Sequence, residues 1–204
     1  MIDFYLDFLS PYAYLAFQQL PRLAASLGHE VRYHAVDLNW LKQRANNTGP
    51  ATRDMPLKLK YARTDLQRWA RQYGVPLVPL VSYDSSRANK GIFFAEHQSD
   101  AQRYIEALWA ETYGRGRDMS SDDVLASVAA GLGWDVSRFM QFVVSPDAAR
   151  RLLESNERAH AAGVFGVPTM ISAGEMWWGN DRLELMTSYL REANQAGREQ
   201  GRGQ

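Results

Sequence analysis

Apolar positions at the start of the chain follow a strand–helix–strand pattern. Residues 2–9 are mostly apolar and end at Ser10-Pro11, which indicates a buried strand followed by a helix. Serine caps helix N-termini, and proline fits the first helical turn. Apolar residues then recur at helical spacing up to Gly28, and residues 31–36 alternate as a second strand. This β-α-β opening predicts two parallel strands joined by a right-handed crossover.

The middle of the chain carries mainly the period of amphipathic helices, and strand signals return near its end. Helices are predicted over residues 55–73, 93–113, 121–132, 136–144 and 147–162. An extended segment is predicted at 75–81, where two prolines argue against a central strand. Residues 167–171 and 175–178 have the pattern of a β-hairpin, and a last helix is predicted over 182–193.

Together these elements predict an α/β protein with a thioredoxin-like fold. A small mixed sheet would carry helices on both faces, and a large all-helical insertion would separate its βαβ and ββα halves. Residues 1–40 and 163–195 would form the discontinuous thioredoxin-like domain, and residues 41–162 the insertion. Residues 196–204, rich in Gly, Arg and Gln, are predicted to be a flexible tail.

Composition narrows the classes of function. With 46% apolar and 23% charged residues, the chain resembles an ordinary globular protein rather than a disordered one. Lys and Arg (23) balance Asp and Glu (23), so no basic field favours nucleic acid as a partner. The chain has neither a long apolar run nor the basic start of a signal peptide, which predicts a cytoplasmic protein without a membrane partner.

The 204 residues include no cysteine. Disulfides, thiolate metal sites and cysteine nucleophiles are therefore excluded. No metal site is predicted either, because the four histidines lack ligand-like spacing: His29, His34, His97 and His160. Nucleotide-binding glycine motifs and the serine-hydrolase elbow are also missing.

The first candidate for chemistry is the junction between the first strand and the first helix. In thioredoxin-like proteins this junction holds Cys-x-x-Cys, but here Ser10 and Ala13 occupy the two cysteine positions. Thiol–disulfide chemistry is therefore lost. A hydroxyl at a helix N-terminus still donates well to an anion, so Ser10 is a candidate ligand-binding residue. The alternative is that Ser10 only caps the helix.

Two further candidates follow the insertion. A cis proline precedes the third strand of thioredoxin-like proteins, which points to Pro168 and to the backbone of Val167 as a pairing site for an extended peptide. The alternative is an ordinary trans proline. Residues 178–182 combine a glycine with a helix start, where free N–H groups can hold a charged end of a ligand. The alternative there is an ordinary cap.

Cationic and aromatic side chains near the start of the insertion are a fourth candidate. Lys42, Asn47 and Arg53 lie in or near a Gly-, Pro- and Asn-rich loop that suits an anionic substrate, whereas solvated surface charge is the alternative. The same two interpretations apply to Tyr83, Arg87 and Asn89, which follow the proline-containing segment.

Five segments in this order resemble the 2-hydroxychromene-2-carboxylate isomerases, bacterial relatives of the kappa-class glutathione transferases. The resemblance spans about residues 2–190 and is carried by residues 7–16 (DFLSPYAYLA), 42–50, 65–70 (DLQRWA), 164–169 (VFGVPT) and 176–182 (MWWGNDR). One position departs from the family, which is expected to have Asn where Thr52 precedes Arg53.

The resemblance implies a thioredoxin-like, usually homodimeric protein that uses glutathione as cofactor. It places Ser10 at the glutathione sulfur as the catalytic residue and Val167 at the cysteinyl backbone. The γ-glutamyl end would be held by Trp178, Gly179, Asn180 and Asp181. The aromatic hydroxy or keto acid substrate would be bound by Lys42, Asn47, Arg53 and Tyr83.

The implied reaction interconverts 2-hydroxychromene-2-carboxylate and trans-o-hydroxybenzylidenepyruvate, a step in the breakdown of naphthalene and other aromatic hydrocarbons. Reversible addition of a thiolate would convert the double bond into a single bond that can rotate. Two alternatives stay open. The protein could be a kappa-class-like glutathione transferase acting on other electrophiles, or a non-catalytic module that grips peptides along the Val167 edge.

Overall fold

A computed structural model describes the backbone of residues 1–202 and the side chains of residues 1–196. One mixed sheet contains β1 (Ile2–Leu6), β2 (Val31–Ala35), β3 (Thr169–Ser172) and β4 (Glu175–Trp178), in the order β2-β1-β3-β4. β1 pairs in parallel with β2, and β3 runs antiparallel to both of its neighbours. This topology confirms the predicted βαβ and hairpin units of the thioredoxin-like fold.

Helices surround the sheet and build the insertion. They are α1 (Pro11–Ser26), α2 (Leu38–Arg44), α3 (Pro56–Tyr73), α4 (Ser86–Gly91), α5 (Gln98–Trp109), α6 (Asp122–Gly131), α7 (Val136–Val143), α8 (Pro146–Ala161) and α9 (Leu183–Arg202). Among the described helices, none has the length and hydropathy needed to cross a membrane.

Several predicted boundaries differ from the structure. β1 ends at Leu6, because residues 7–10 form a turn in which the Ser10 N–H donates to the Asp7 carbonyl at 2.9 Å. The helix predicted over 93–113 is divided into a 3-10 turn (Ile92–Phe94), α5 and a π-helical turn (Ala110–Gly114), since the backbone is extended at His97.

The end of the chain also differs from the prediction. The backbone of α9 is helical to Arg202, through most of the segment predicted to be a tail. The remainder of the tail prediction, residues 203–204, lies outside the described residues, as do the side chains from residue 197 onward.

The main hydrophobic core joins the insertion to the sheet. Trp109, at the end of α5, is completely buried. Its ring lies 5.2 Å from Phe8, 5.9 Å from Tyr14 and 5.3 Å from Phe17, between centroids. Contacts between offset or edge-on rings add to the free energy gained by burying their area. The insertion is therefore packed into the same core as α1 and β1.

A smaller core covers the other face of the sheet. α2 and α8 pack there, and its buried members are Tyr5, Val36, Leu41, Ala159, Val164 and Val167. Helices thus lie on both faces, as predicted. Because Val167 belongs to this core, the loop before β3 is fixed from one side by apolar packing.

Candidate active site

Ser10 stands where β1 gives way to α1, and its side chain has two partners. The Oγ accepts a hydrogen bond from the Ala13 N–H at 3.1 Å, which makes Ser10 the N-cap of α1. The hydroxyl also points to the carbonyl oxygen of Val167, 3.4 Å away. That contact is long for a hydroxyl donor, so the hydroxyl proton can turn to a better acceptor at low cost. Ser10 is therefore an N-cap, and its hydroxyl proton has only a weak acceptor among the described residues.

The loop before β3 faces this hydroxyl. The Val167–Pro168 peptide bond is cis, as the thioredoxin-like interpretation predicts. The Thr169 hydroxyl donates to the Gly166 carbonyl at 2.8 Å, and the Gly179 N–H donates to the Pro168 carbonyl at 2.9 Å. These bonds fix the loop between β1 and β4, with the Val167 carbonyl directed at Ser10.

Residues 178–182 complete this end of the sheet. Gly179 has φ +111°, a conformation that disfavours any residue with a side chain, and the Asp181 carboxylate packs against it. Asn180 is only 2% exposed, and its Nδ2 has no hydrogen-bond partner among the described residues. A buried amide without a partner is costly. The neighbouring Tyr73 hydroxyl, or a bound ligand with an acceptor, would remove that cost.

Two aromatic side chains line the same loop. Trp178 is 52% exposed, and its ring lies 5.0 Å from that of Phe165, which is also exposed. Trp178 packs over Gly166 so closely that a Cβ there would lie 2.9 Å from its Nε1. Large exposed rings beside an available carbonyl are typical of a binding surface.

The predicted substrate residues form two groups. The Arg53 guanidinium lies over the Tyr83 ring, 5.2 Å from its centroid, and both side chains are more than half exposed. Lys42 is half-buried on α2, and its carbonyl accepts from the N–H of the exposed Asn47 at 2.9 Å. Within the described residues, no hydrogen bond or ion pair joins the second group to the first.

A polar cavity connects Tyr83 to the loop that carries Ser10. Its volume is about 90 Å³, and its lining includes Leu9, Tyr83, Asn89 and the helix-cap residue Asp37. The Arg53–Tyr83 pair therefore lies on the same side of the molecule as Ser10. Arg87 forms an ion pair with Asp122 at 2.5 Å.

One buried carboxylate near Ser10 was not a sequence candidate. Asp7 is 1% exposed, and its carboxylate accepts from the Leu9 N–H at 3.0 Å and the Leu38 N–H at 2.8 Å. Burial raises the pKa of Asp7, and these two bonds oppose the shift by favouring the charged form. The one feature of the sequence that could have pointed to Asp7 is its charge within the mostly apolar segment 2–9.

Tyr12, two residues after Ser10, also has a specific partner. Its hydroxyl donates to the Asp65 carboxylate at 3.1 Å, which joins α1 to α3. Burial and this carboxylate both raise the pKa of Tyr12, so its hydroxyl stays protonated as a donor. Both residues belong to segments that carry the family resemblance, 7–16 and 65–70.

Comparison with known proteins places this geometry in a family. Residues 1–191 match the DSBA-like thioredoxin domain. A protein of Pseudomonas putida named 2-hydroxychromene-2-carboxylate isomerase is 43% identical over 190 residues, 93% of this chain and 94% of that one. The chain belongs to the 2-hydroxychromene-2-carboxylate isomerase family.

A solved structure supports the same assignment at the level of the backbone. The structure of a 2-hydroxychromene-2-carboxylate isomerase superposes with a TM-score of 0.93 at 41% identity, covering 97% of this chain and 98% of that one. A more distant relative is the glutathione S-transferase kappa 1 of Caenorhabditis elegans, 24% identical over 94% of this chain and 91% of that protein. This member of the isomerase family thus shares ancestry with the kappa-class transferases, as its sequence motifs predict.

Proposed function

We propose that the protein is a glutathione-dependent isomerase that interconverts 2-hydroxychromene-2-carboxylate and trans-o-hydroxybenzylidenepyruvate. The observation that carries the proposal is the Ser10 hydroxyl at the start of α1, 3.4 Å from the Val167 carbonyl, in a chain without cysteine. The names of the relatives support the reaction, and the kappa-class relatives support the use of glutathione.

The residues near Ser10 fit glutathione. The Val167 carbonyl suits the cysteinyl N–H of a tripeptide lying along the loop, as in β-strand addition. The buried Asn180 Nδ2, which has no hydrogen-bond partner within normal distance in the described part of the chain, suits an acceptor on the γ-glutamyl end, and the Asp181 carboxylate beside it suits the ammonium group. Trp178 covers the same end with an exposed ring.

Each site residue would have a defined role in the reaction. When bound, glutathione supplies the thiolate whose reversible addition to the conjugated double bond allows that bond to rotate. The Ser10 hydroxyl donates to the sulfur, and the positive end of the α1 dipole also favours the anion, by about 0.3–2 kcal/mol. The Val167 carbonyl then loses its weak hydroxyl partner and gains a backbone N–H instead.

The substrate would be held by the other group of residues. Lys42 and Arg53 are cations suited to the carboxylate and to the negative charge that develops on the neighbouring oxygen. The Tyr83 ring is suited to stack on the aromatic part, and the Asn47 amide to bond a hydroxyl or keto oxygen.

The proposal is tested by supplying the chromene acid with glutathione far below the substrate concentration. An isomerase turns over many times without consuming thiol, so free thiol measured by Ellman's reagent stays constant while the absorbance of the acid changes. A kappa-class-like transferase on other electrophiles is the second candidate, favoured by the relatives of that name, and it would consume one thiol per turnover. Isomerisation at full rate after removal of all small thiols would refute both.

The family resemblance adds three further parts to the proposal. We propose a homodimer, a cytoplasmic location and a place in the catabolism of naphthalene or larger aromatic hydrocarbons. Sedimentation equilibrium tests the first. Growth of a deletion strain on naphthalene, with fractionation of the tagged protein in the complemented strain, tests the other two.

A further inference from the structure

Two buried polar side chains connect the loops that carry the two halves of the proposed site. The first loop, residues 7–10, follows β1 and ends at Ser10. The second loop, residues 36–37, follows β2 and leads into α2, which carries Lys42. The loops are neighbours because the carboxyl ends of parallel strands meet at one edge of the sheet, and the Val36 N–H donates to the Leu6 carbonyl at 2.9 Å.

Asp7 and Asn89 each hydrogen-bond to both segments. The Asp7 carboxylate accepts from Leu9, in the first loop, and from Leu38, the first residue of α2. Asn89, on α4, accepts from the Phe8 N–H at 3.1 Å through its Oδ1. Its Nδ2 donates to the carbonyl of Val36 in the second loop, also at 3.1 Å.

Two carbonyl groups of the first loop are held by aromatic side chains of the insertion. The Tyr113 hydroxyl donates to the Leu9 carbonyl at 2.8 Å, and the Trp109 indole N–H approaches the Phe8 carbonyl at 3.4 Å. Tyr113 lies in the π-helical turn, a feature frequent near functional sites. These two residues fix only the first loop, whereas Asp7 and Asn89 join it to the second.

We infer that Asp7 and Asn89 are positioning residues that hold the Ser10 loop and the start of α2 at a fixed separation. They lie 1% exposed beneath both loops, where Asp7 binds backbone N–H groups and Asn89 also lines the polar cavity beside Tyr83. The inference rests on the proposed function, in which the sulfur beside Ser10 and the acid beside Lys42 must meet at reacting distance. A misplacement of about 1 Å in such a geometry lowers the rate on the order of 100-fold.

Hydrogen exchange of the ligand-free protein tests the connection without relying on catalysis. Asn89→Leu removes the bonds to Phe8, Val36 and Ser85 with a side chain of similar branched shape. We expect faster exchange of the Phe8 and Leu9 amides and also of the Asp37 and Leu38 amides, to which Asn89 does not hydrogen-bond. The matched control is Asn156→Leu, since buried Asn156 accepts only from Asp37, at 2.8 Å. Within the described residues Asn156 has no hydrogen bond to residues 7–10, so this variant should speed exchange in the second loop and leave the first unchanged.

Steady-state kinetics tests the consequence for the reaction. For Asn89→Leu and for the milder Asp7→Asn, we expect kcat to fall on the order of 10- to 100-fold while KM for glutathione and for the acid changes less than about threefold. Thr187→Val, which removes a buried hydroxyl bond within α9, should leave kcat unchanged.

Three results would overturn the inference. They are faster exchange in residues 7–10 alone for Asn89→Leu, an unchanged kcat in folded variants, or a loss confined to one KM. Failure of the wild type to isomerise would refute the proposed function instead, and the exchange experiment would still decide whether the two loops are connected.

Discussion

Ser10 is both a helix cap and the proposed donor to a thiolate, and two substitutions separate these roles. Ser10→Ala removes the hydroxyl and replaces the cap with a poor one. Ser10→Gly removes the same hydroxyl but keeps a residue that is tolerated at N-caps. The two variants therefore differ in stability, but both lack the hydroxyl that would donate to the thiolate.

The magnitudes follow from the two contacts of the Ser10 side chain. Loss of the bond from the Ala13 N–H should lower the free energy of unfolding by about 1 kcal/mol in Ser10→Ala. In Ser10→Gly the loss should be only about 0.3 kcal/mol. For a chain of this size, 1 kcal/mol corresponds to about 2–4 °C in Tm. A hydrogen bond to a charged acceptor contributes about 1.5–3 kcal/mol, so both variants should raise the pKa of the bound glutathione thiol by about 1–2 units.

The assay measures the ultraviolet absorbance of bound thiolate against pH, together with the isomerisation rate near neutral pH. Both variants should lose about 10- to 100-fold in rate at about pH 7, with Tm values that differ by a few degrees. If instead the isomerisation rate of Ser10→Gly were close to that of the wild type and only the less stable Ser10→Ala lost activity, the hydroxyl would have no role beyond capping the helix.

Three further predictions concern other parts of the molecule. Gly166→Ala should displace Trp178, whose Nε1 would lie 2.9 Å from the new Cβ, and weaken glutathione binding in calorimetry; an unchanged Kd would contradict this contact. Tyr104→Phe removes the buried hydroxyl that donates to the Ala88 carbonyl in α4 at 3.0 Å. The free energy of unfolding, measured in urea, should fall by about 1–3 kcal/mol, and no change would argue against that bond. Burial lowers the pKa of His34, and Asp3 opposes this shift. Because the unfolded chain then binds the proton more readily than the folded protein, the free energy of unfolding should fall as pH decreases below about 6.5. His34→Gln should make the urea midpoint less dependent on pH in this range, and an unchanged dependence would refute the prediction.

The sequence predicted the fold well where local signals agreed with tertiary structure. Ser10-Pro11 marked the start of α1 correctly, because cap and first-turn preferences are local. The hairpin around Ala173-Gly174 was also confirmed, since both residues adopt positive φ at the turn. The short helices α2 and α4 were not predicted, because one or two turns carry too little periodicity to detect.

The site was only partly predictable, for a physical reason. Ser10 and Val167 were identified through the thioredoxin-like pattern, and the structure brings them into contact. In the sequence pattern Asp7 is only a polar position within the predicted first strand, and Asn89 has the same two interpretations as any polar surface residue. Their importance depends on bonds to backbone groups far along the chain, and no pattern within a short window reports such bonds.

The order of strands has a consequence for how the protein reaches its native state. The central strand β1 pairs on one side with β3, so residues near the two ends of the chain must meet across the whole insertion. Pairings of this separation are slow to form, because a long loop must close before they contribute. During synthesis on the ribosome, one edge of β1 would therefore stay unpaired after β1, α1 and β2 have been made, until β3 is synthesised. In refolding, closing the sheet should therefore be slower than forming its helices.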